Sequence, residues 1–224
     1  LLKAHFPVDV NATRATYEIQ FGNVERETTN NYSWDTAKFE ACGHKWADLS
    51  ENSSGVSLLN DCKYGYSIKK GDMSLTLIKS GTYPNEDADI GEHRFTYSIY
   101  PHAGRWQEAK TVEMAYNLNV PMPVKRIGKQ KGCGEEYDSF LHCDKESCFI
   151  EVIKKAEDGD GVIVRMYENK NNRVRAHITS GRALVHVYEC NLLEEKEAEL
   201  TVCGTTFETV FKPYEIKTFR LIFA

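Results

Sequence analysis

Two groups of carboxylates and one group of soft ligands are the side chains of this 224-residue chain best suited to chemistry on their own. Asp87, Asp89 and Glu92 crowd one loop, and Asp158 and Asp160 flank a glycine in Glu157-Asp158-Gly159-Asp160-Gly161. A pair of carboxylates can cleave a glycosidic bond, one as acid and the other as nucleophile or base. The simpler reading of both groups is a solvated loop, because Asp in a Gly-rich turn is favoured by its own backbone hydrogen bonds. His142, Cys143 and Cys148 are zinc-ligand types, but a fourth ligand is missing and the spacing matches no zinc framework. The sequence has no Gly-rich phosphate loop, no His-Glu-x-x-His, no Cys-x-x-Cys and no Gly-x-Ser-x-Gly. What remains is Gly55 to Tyr66, which begins as an apolar run and ends with Asn60, Asp61, Lys63, Tyr64 and Tyr66. A strand that delivers such groups to a loop can present them at a binding site; it can equally be a buried strand and an ordinary turn.

The elements that would position these residues read as short strands. Phe6, Val8 and Val10 alternate, as do Tyr17, Ile19 and Phe21, and Phe95, Tyr97 and Ile99. Pro101 is expected to stop the last of these. Asn23 to Asp35 suits a polar loop, and Trp34 and Trp46 bracket Phe39 as large apolar anchors for a core. Trp106 to Leu118 carries a helical stripe with Pro121 beyond it, the one helix expected. In the second half Cys148–Lys154, Val162–Met166, Arg173–Ile178, Arg182–Tyr188, Leu200–Cys203, Thr205–Phe211 and Ile216–Phe223 read as strands. Leu192 to Glu199 reads as a charged surface loop. Many short strands separated by turn residues predict a mainly β protein of sandwich architecture. The expected divisions are 1–122, a Gly-, Pro- and Lys-rich connector at 123–134, and 135–224.

Composition excludes several classes. A net charge of -5 gives no reason to expect nucleic acid or an anionic membrane as partner, and no apolar run is long enough to span a bilayer. Seven cysteines, odd in number and irregularly spaced, favour free thiols and a cytoplasmic setting over a disulfide framework. The chain opens without Met and enters strand alternation at once, as expected of a piece of a longer protein.

Longer runs carry a resemblance. Asn31 to Glu40, His44 to Glu51 and Gly55 to Tyr66 closely resemble the C-terminal region of glycoside hydrolase family 38 α-mannosidases, the cytosolic and bacterial branch above all. Asp89 to Tyr97, Pro101-His102-Ala103-Gly104, Gly161 to Glu168 and Lys212 to Arg220 fit the same family, so the resemblance spans nearly the whole chain.

The resemblance implies a large β-sandwich of the galactose-mutarotase-like supersandwich type, followed by a smaller β-sandwich lobe, with one short helix. It also implies a parent enzyme that hydrolyses α-mannosides with retention, through an Asp nucleophile and a zinc ion held in an N-terminal catalytic domain. None of those catalytic or zinc-ligating residues lies in this stretch, so the chain alone is expected to be inactive and to bind no cofactor. Its expected partners are the catalytic domain of the same chain and the α-mannoside substrate, with a homo-oligomer possible. The residues expected to face the catalytic cleft are Asn60, Asp61, Lys63 and Tyr64, with His93 and Arg94 beside them. The same residues serve equally to pin the loop or hold an interdomain contact. Two other functions compete: a freestanding carbohydrate-binding module, and a protein-interaction domain for oligomerisation.

Overall fold

The computed structural model describes residues 1–129, 131–132 and 138–224, which form two compact units, Leu1–Lys125 and Arg126–Ala224. The expected connector includes positions 130, 133 and 134, which lie outside the described residues.

In the first unit the chain runs through β1 (Leu2–Pro7), β2 (Arg14–Ile19), β3 (Gly22–Glu27), α1 (Ser33–Ala37), β4 (Ala41–Cys42) and β5 (Trp46–Ser50). It continues through β6 (Ser54–Asn60), β7 (Gly65–Lys69), β8 (Asp72–Ile78), β9 (Tyr97–Ala103) and α2 (Thr111–Asn119). Two antiparallel sheets result, ordered β1-β8-β7-β4 and β3-β2-β5-β6-β9. Ala15, Tyr17, Ala47, Leu49 and Leu58 from one sheet meet Tyr66, Ile68, Met73 and Leu75 from the other in a single core. Burial of this apolar area is the main force holding the sheets together.

β5 is buried on both faces, and its alternation divides them. Ala47 and Leu49 enter the core between the sheets. Asp48 and Ser50 lie on the opposite face, where Thr111 of α2 reaches Ser57. Trp46 packs against Trp106 in a tilted arrangement with ring centroids 5.0 Å apart. Asp48 there accepts hydrogen bonds from Ser50, from Ser57 Oγ at 2.7 Å and from His102 Nε2 at 2.8 Å. Burial alone would pull the His102 imidazole down, but the hydrogen bond and charge of Asp48 outweigh it and raise its pKa above the ordinary histidine value. Gly55 sits under this network: a Cβ there would lie 2.4 Å from Ser50 Oγ and 2.6 Å from the His102 ring.

The second unit contains β10 (Leu141–Cys143), β11 (Cys148–Lys155), β12 (Val162–Glu168), β13 (Val174–Ser180) and β14 (Leu184–Cys190). Then come β15 (Lys196–Leu200), β16 (Val202–Cys203), β17 (Thr206–Phe211) and β18 (Ile216–Phe223). Its sheets are ordered β10-β13-β17-β16 and β11-β12-β18-β14-β15. Their shared core includes Met166, Ile178, Val187, Phe207, Phe211, Phe219 and Leu221.

The protein is mainly β with two sheet lobes, as the alternation predicted, and α2 is the helix expected near Trp106. Several local expectations fail for identifiable reasons. A second helical turn, α1, forms where a loop was expected, because the Asp35 carboxylate reaches back to the N–H groups of Asn31 and Tyr32 at 3.0 and 3.1 Å. Asn23–Glu27 is strand, since β3 folds back on β2 in a hairpin register running from Ile19↔Gly22 to Arg14↔Glu27. Pro101 does not end its strand; it pairs with Val56 inside β9, an edge strand where a missing N–H costs no ladder bond. Lys196–Leu200 is also strand, an edge whose exposed charges discourage further pairing. Trp46 is buried, on the face of β5 opposite the inter-sheet core, but Trp34 and Phe39 are exposed, at 57% and 67%.

Candidate functional site

The loop after β6 is built around Asn60, whose side chain is buried and fully engaged. Its Nδ2 donates to His44 O at 3.0 Å and to the Tyr66 hydroxyl, and its Oδ1 accepts the N–H groups of Cys62 at 3.0 Å and Lys63 at 2.5 Å. Asn119 of α2 donates to the Asn60 carbonyl at 3.0 Å. An Asn at this position supplies both donors and acceptors, which an Asp or an aliphatic residue cannot. The buried Tyr66 completes the knot by donating to His44 O at 2.8 Å. Burial, opposed by the Asn60 hydrogen bond, drives its phenol pKa far upward.

The neighbouring side chains point outward from this knot. Asp61 is exposed; its N–H donates to Thr96 O at 3.1 Å, and its Oδ1 accepts Thr96 N–H at 3.0 Å. That pair of bonds ties the loop to the segment entering β9. Slight burial acts upward on the Asp61 carboxyl, but the hydrogen bonds from Thr96 and Cys62 outweigh it and hold the pKa below the ordinary value. Lys63 Nζ lies 4.8 Å from the Phe95 ring centroid, a cation–π contact. Tyr64 is exposed and tilts against His44 at 5.0 Å. Below them Lys45 Nζ pairs with the buried Glu18 at 2.7 Å, and burial raises the Glu18 pKa despite this partner.

His93 and Arg94 lie on the exposed segment before β9. His93 Nε2 is 2.8 Å from Asp89 O, and Arg94 Nε donates to Glu92 Oε1 at 2.7 Å. The structure thus brings Asp61, Lys63 and Tyr64 together with Phe95 and Thr96, and makes Asn60 their buried organiser. His44, Lys45 and Glu18 belong to the same cluster. The signal for His44 and Lys45 lay in the His44–Glu51 run; Glu18 carried none, because only the pairing of β2 with β5 brings its end of the sheet there.

The carboxylate groups singled out by type have structural partners or solvent. Asp87 and Asp89 sit in exposed turns. Asp158 accepts Asp160 N–H at 2.9 Å and Arg220 Nη1 at 2.6 Å, and the two together hold its carboxyl below the ordinary range. Among the described residues no group of three or more His, Cys, Asp or Glu side chains is disposed to hold a metal ion, so these residues do not fit a zinc site.

A second feature of the first unit is a cleft of about 610 Å³ lined by Tyr17, Arg26, Trp34, Lys38 and Phe39 among others. Trp34 stacks on Tyr32 at 4.5 Å, and the Arg26 guanidinium lies 4.8 Å over the Tyr17 ring.

Residues 1–87 match the model of the glycosyl hydrolases family 38 C-terminal domain, and residues 148–219 match that of the family 38 C-terminal beta sandwich domain. The chain is 42% identical to alpha-mannosidase G of Dictyostelium discoideum and 34% identical to alpha-mannosidase 2C1 of Homo sapiens, each over 226 aligned residues and 99% of this chain. It is 35% identical to an alpha-mannosidase of Saccharomyces cerevisiae, again over 99% of the chain. It spans only 21–22% of the length of these relatives. Among solved structures, an alpha-mannosidase from Enterococcus faecalis V583 superposes with a TM-score of 0.80 at 17% identity, covering 97% of this chain and 25% of that one. This likeness is one of fold. With both family models matched in order along one chain, and relatives aligned along nearly all of it, the chain belongs to glycosyl hydrolase family 38 and corresponds to its C-terminal β region.

Proposed function

We propose that this chain is the non-catalytic C-terminal β region of a retaining α-mannosidase, where it supports the catalytic domain and helps to close its cleft. The observation that carries this reading is the alignment over 99% of the chain with only about a fifth of each α-mannosidase relative. Catalytic machinery then belongs to the rest of the protein. Zinc belongs there too, since the described residues do not fit a metal site, and nothing in this chain's role passes through the ion. Leu1–Lys125 would be part of a galactose-mutarotase-like supersandwich, with the divisions at 1–122 and 135–224 marking its first part and the remaining strands.

Asp61, Lys63 and Tyr64 are proposed to face the substrate cleft, with Asn60 orienting them and His93 and Arg94 flanking them. Asp and Lys can bond sugar hydroxyls, and Tyr offers a flat apolar face with a hydroxyl at its edge. A cytoplasmic location is proposed from the free thiols at Cys42, Cys62, Cys143, Cys148, Cys190 and Cys203. Assay of the isolated chain on an aryl α-mannoside, with and without zinc, tests the central reading: no turnover is expected, and clear turnover overturns it.

The cleft beside Trp34 and Phe39 favours a second reading, a carbohydrate-binding module, because exposed aromatic faces next to Arg and Lys suit stacked sugars. Calorimetric titration with mannose and α-mannobiose separates the two. Saturable binding by the isolated chain supports the module, and its absence supports the accessory role. Sedimentation of the parent enzyme tests whether this region serves a homo-oligomer; a monomeric parent excludes that role.

A further inference from the structure

The cleft beside Trp34 holds a cation that the fold leaves without a counter-charge. In the hairpin of β2 and β3, Ala15 lies opposite Arg26 and Tyr17 opposite Val24. Ala15, Tyr17 and Val24 belong to the core between the sheets, so strand alternation sends the Arg26 side chain to that same inner face. A long facing strand would enclose it, but β4 spans only Ala41–Cys42. β3 and β4 are edges of their sheets, and the seam between them stands open as the cleft of about 610 Å³.

Other charges in the cleft are matched. Arg14 pairs with Glu25 at 3.4 Å and Glu27 at 3.9 Å, and Glu40 pairs with Lys3 at 3.3 Å. Lys69 Nζ donates to Glu27 O at 3.2 Å and Thr29 O at 3.3 Å, and the Asp35 carboxylate caps α1. Arg26 differs. Its guanidinium lies over the Tyr17 ring, and its buried Nη1 has no hydrogen-bond partner. Burial drives the Tyr17 phenol up to about 12 against the pull of Arg26, so the ring beneath stays neutral. A buried N–H without an acceptor is unfavourable, and an entering ligand oxygen would relieve it. The residue as a whole is only partly buried and lines the cleft, so a turn of the guanidinium on the Tyr17 face presents Nη1 to such an oxygen.

We propose that this cleft binds an anionic monosaccharide, with its ring against Trp34 and Phe39 and its phosphate or carboxylate on the Arg26 guanidinium. The proposal rests on the sugar-binding reading of the cleft and adds the charge of the ligand. The planar guanidinium fork matches a carboxylate or phosphate, and the exposed Lys38 adds a second positive charge at the cleft. Trp34 and Phe39 offer exposed apolar faces to the C–H side of a sugar ring. The half-exposed carboxylates of Glu25 and Glu27 keep lone pairs free for sugar hydroxyls and disfavour polyanions by repulsion.

The test is calorimetric titration of the 224-residue chain with mannose, mannuronate and mannose 6-phosphate, which differ only at the sixth carbon, and with inorganic phosphate as control. At least one anionic sugar should bind saturably at one site, about tenfold or more tighter than mannose, because charge-assisted hydrogen bonds are the stronger ones. The tighter of the two names the source of the anion. Arg26→Gln should erase the preference for charge. Trp34→Ala, a change at an exposed side chain, should weaken neutral and anionic sugars alike. Mannose binding as tightly as both anionic sugars overturns the proposal and leaves the sugar-binding reading standing. Binding of none of the three overturns both. Inorganic phosphate binding as tightly as mannose 6-phosphate, with no effect of Trp34→Ala, means an adventitious ion only and overturns the proposal, as does a charge preference that survives in Arg26→Gln. Should Arg26→Gln not fold, the wild-type preference together with its loss of affinity in Trp34→Ala decides the matter.

Discussion

Replacing Asp48 by Ala should be among the most damaging single changes available in the first unit. The carboxylate is 1% exposed and its imidazole partner 3%. It accepts from Ser50, Ser57 and His102, so truncation removes the acceptor for three donors at once. Breaking a buried charge pair by removing one partner costs about 3–5 kcal/mol, because the other is left uncompensated. Hydrogen bonds to a charged group contribute about 1.5–3 kcal/mol each but do not add fully within one network. We expect about 4 kcal/mol, or roughly 15 °C in Tm for a unit of this size. Asp48→Asn keeps the shape but supplies one acceptor oxygen instead of two and no charge, and should cost somewhat less. Urea unfolding followed by tryptophan fluorescence reads the effect cleanly, since Trp34, Trp46 and Trp106 all lie in Leu1–Lys125. A double-mutant cycle with His102→Ala isolates the pair. A loss below about 1 kcal/mol for Asp48→Ala, or a coupling below about 0.5 kcal/mol, would refute the argument that this network braces β5, β6, β9 and α2.

The same pair fixes a pH dependence. Because the folded-state pKa of His102 is raised, its contribution is fully present below its unfolded value near 6.5 and is lost as pH rises through the folded value. Urea midpoints should therefore fall across that window in wild type, and the slope should flatten in His102→Gln. Asn60→Ala should cost about 2–3 kcal/mol, since the buried Tyr66 hydroxyl loses a donor and the loop loses its central acceptor; a midpoint unchanged within error would contradict the role given to Asn60. Asp61→Ala and Tyr64→Phe in the complete enzyme should lower kcat/KM more than they lower Tm. Unchanged activity of the folded variants would make the loop scaffold only. Phe219→Ala should cost about 3–5 kcal/mol, because its ring packs between Phe207 at 5.2 Å and Phe211 at 6.4 Å in the second core.

Much of the architecture was legible because strand alternation is a local signal. Tyr17 and Ile19, Val162 to Met166, and Thr206 to Phe211 announced their strands by period alone. Size and hydrophobicity misled at Trp34 and Phe39, where they suggested core and the fold leaves both exposed. Charged edge strands such as β15 carried no apolar signal, and Pro101 was misread because edge position is a property of the sheet and not of the strand.

For the candidate site the division is similar. The sequence alone determined that Gly55–Asn60 is a strand followed by a polar loop, and its longer runs identified the family. Only the tertiary structure decided what each loop residue does. Asn60 is the buried organiser and Asp61 the clasp to Thr96, because β6 ends where His44, Tyr66 and the segment entering β9 converge. The clasp of Asp144 by His177, which lies far along the chain, was likewise out of reach of spacing arguments; it is brought about by the pairing of β10 with β13. Hydrogen-bond partners separated by tens of residues are chosen by sheet register, and register is set by the burial of whole faces rather than by any local run.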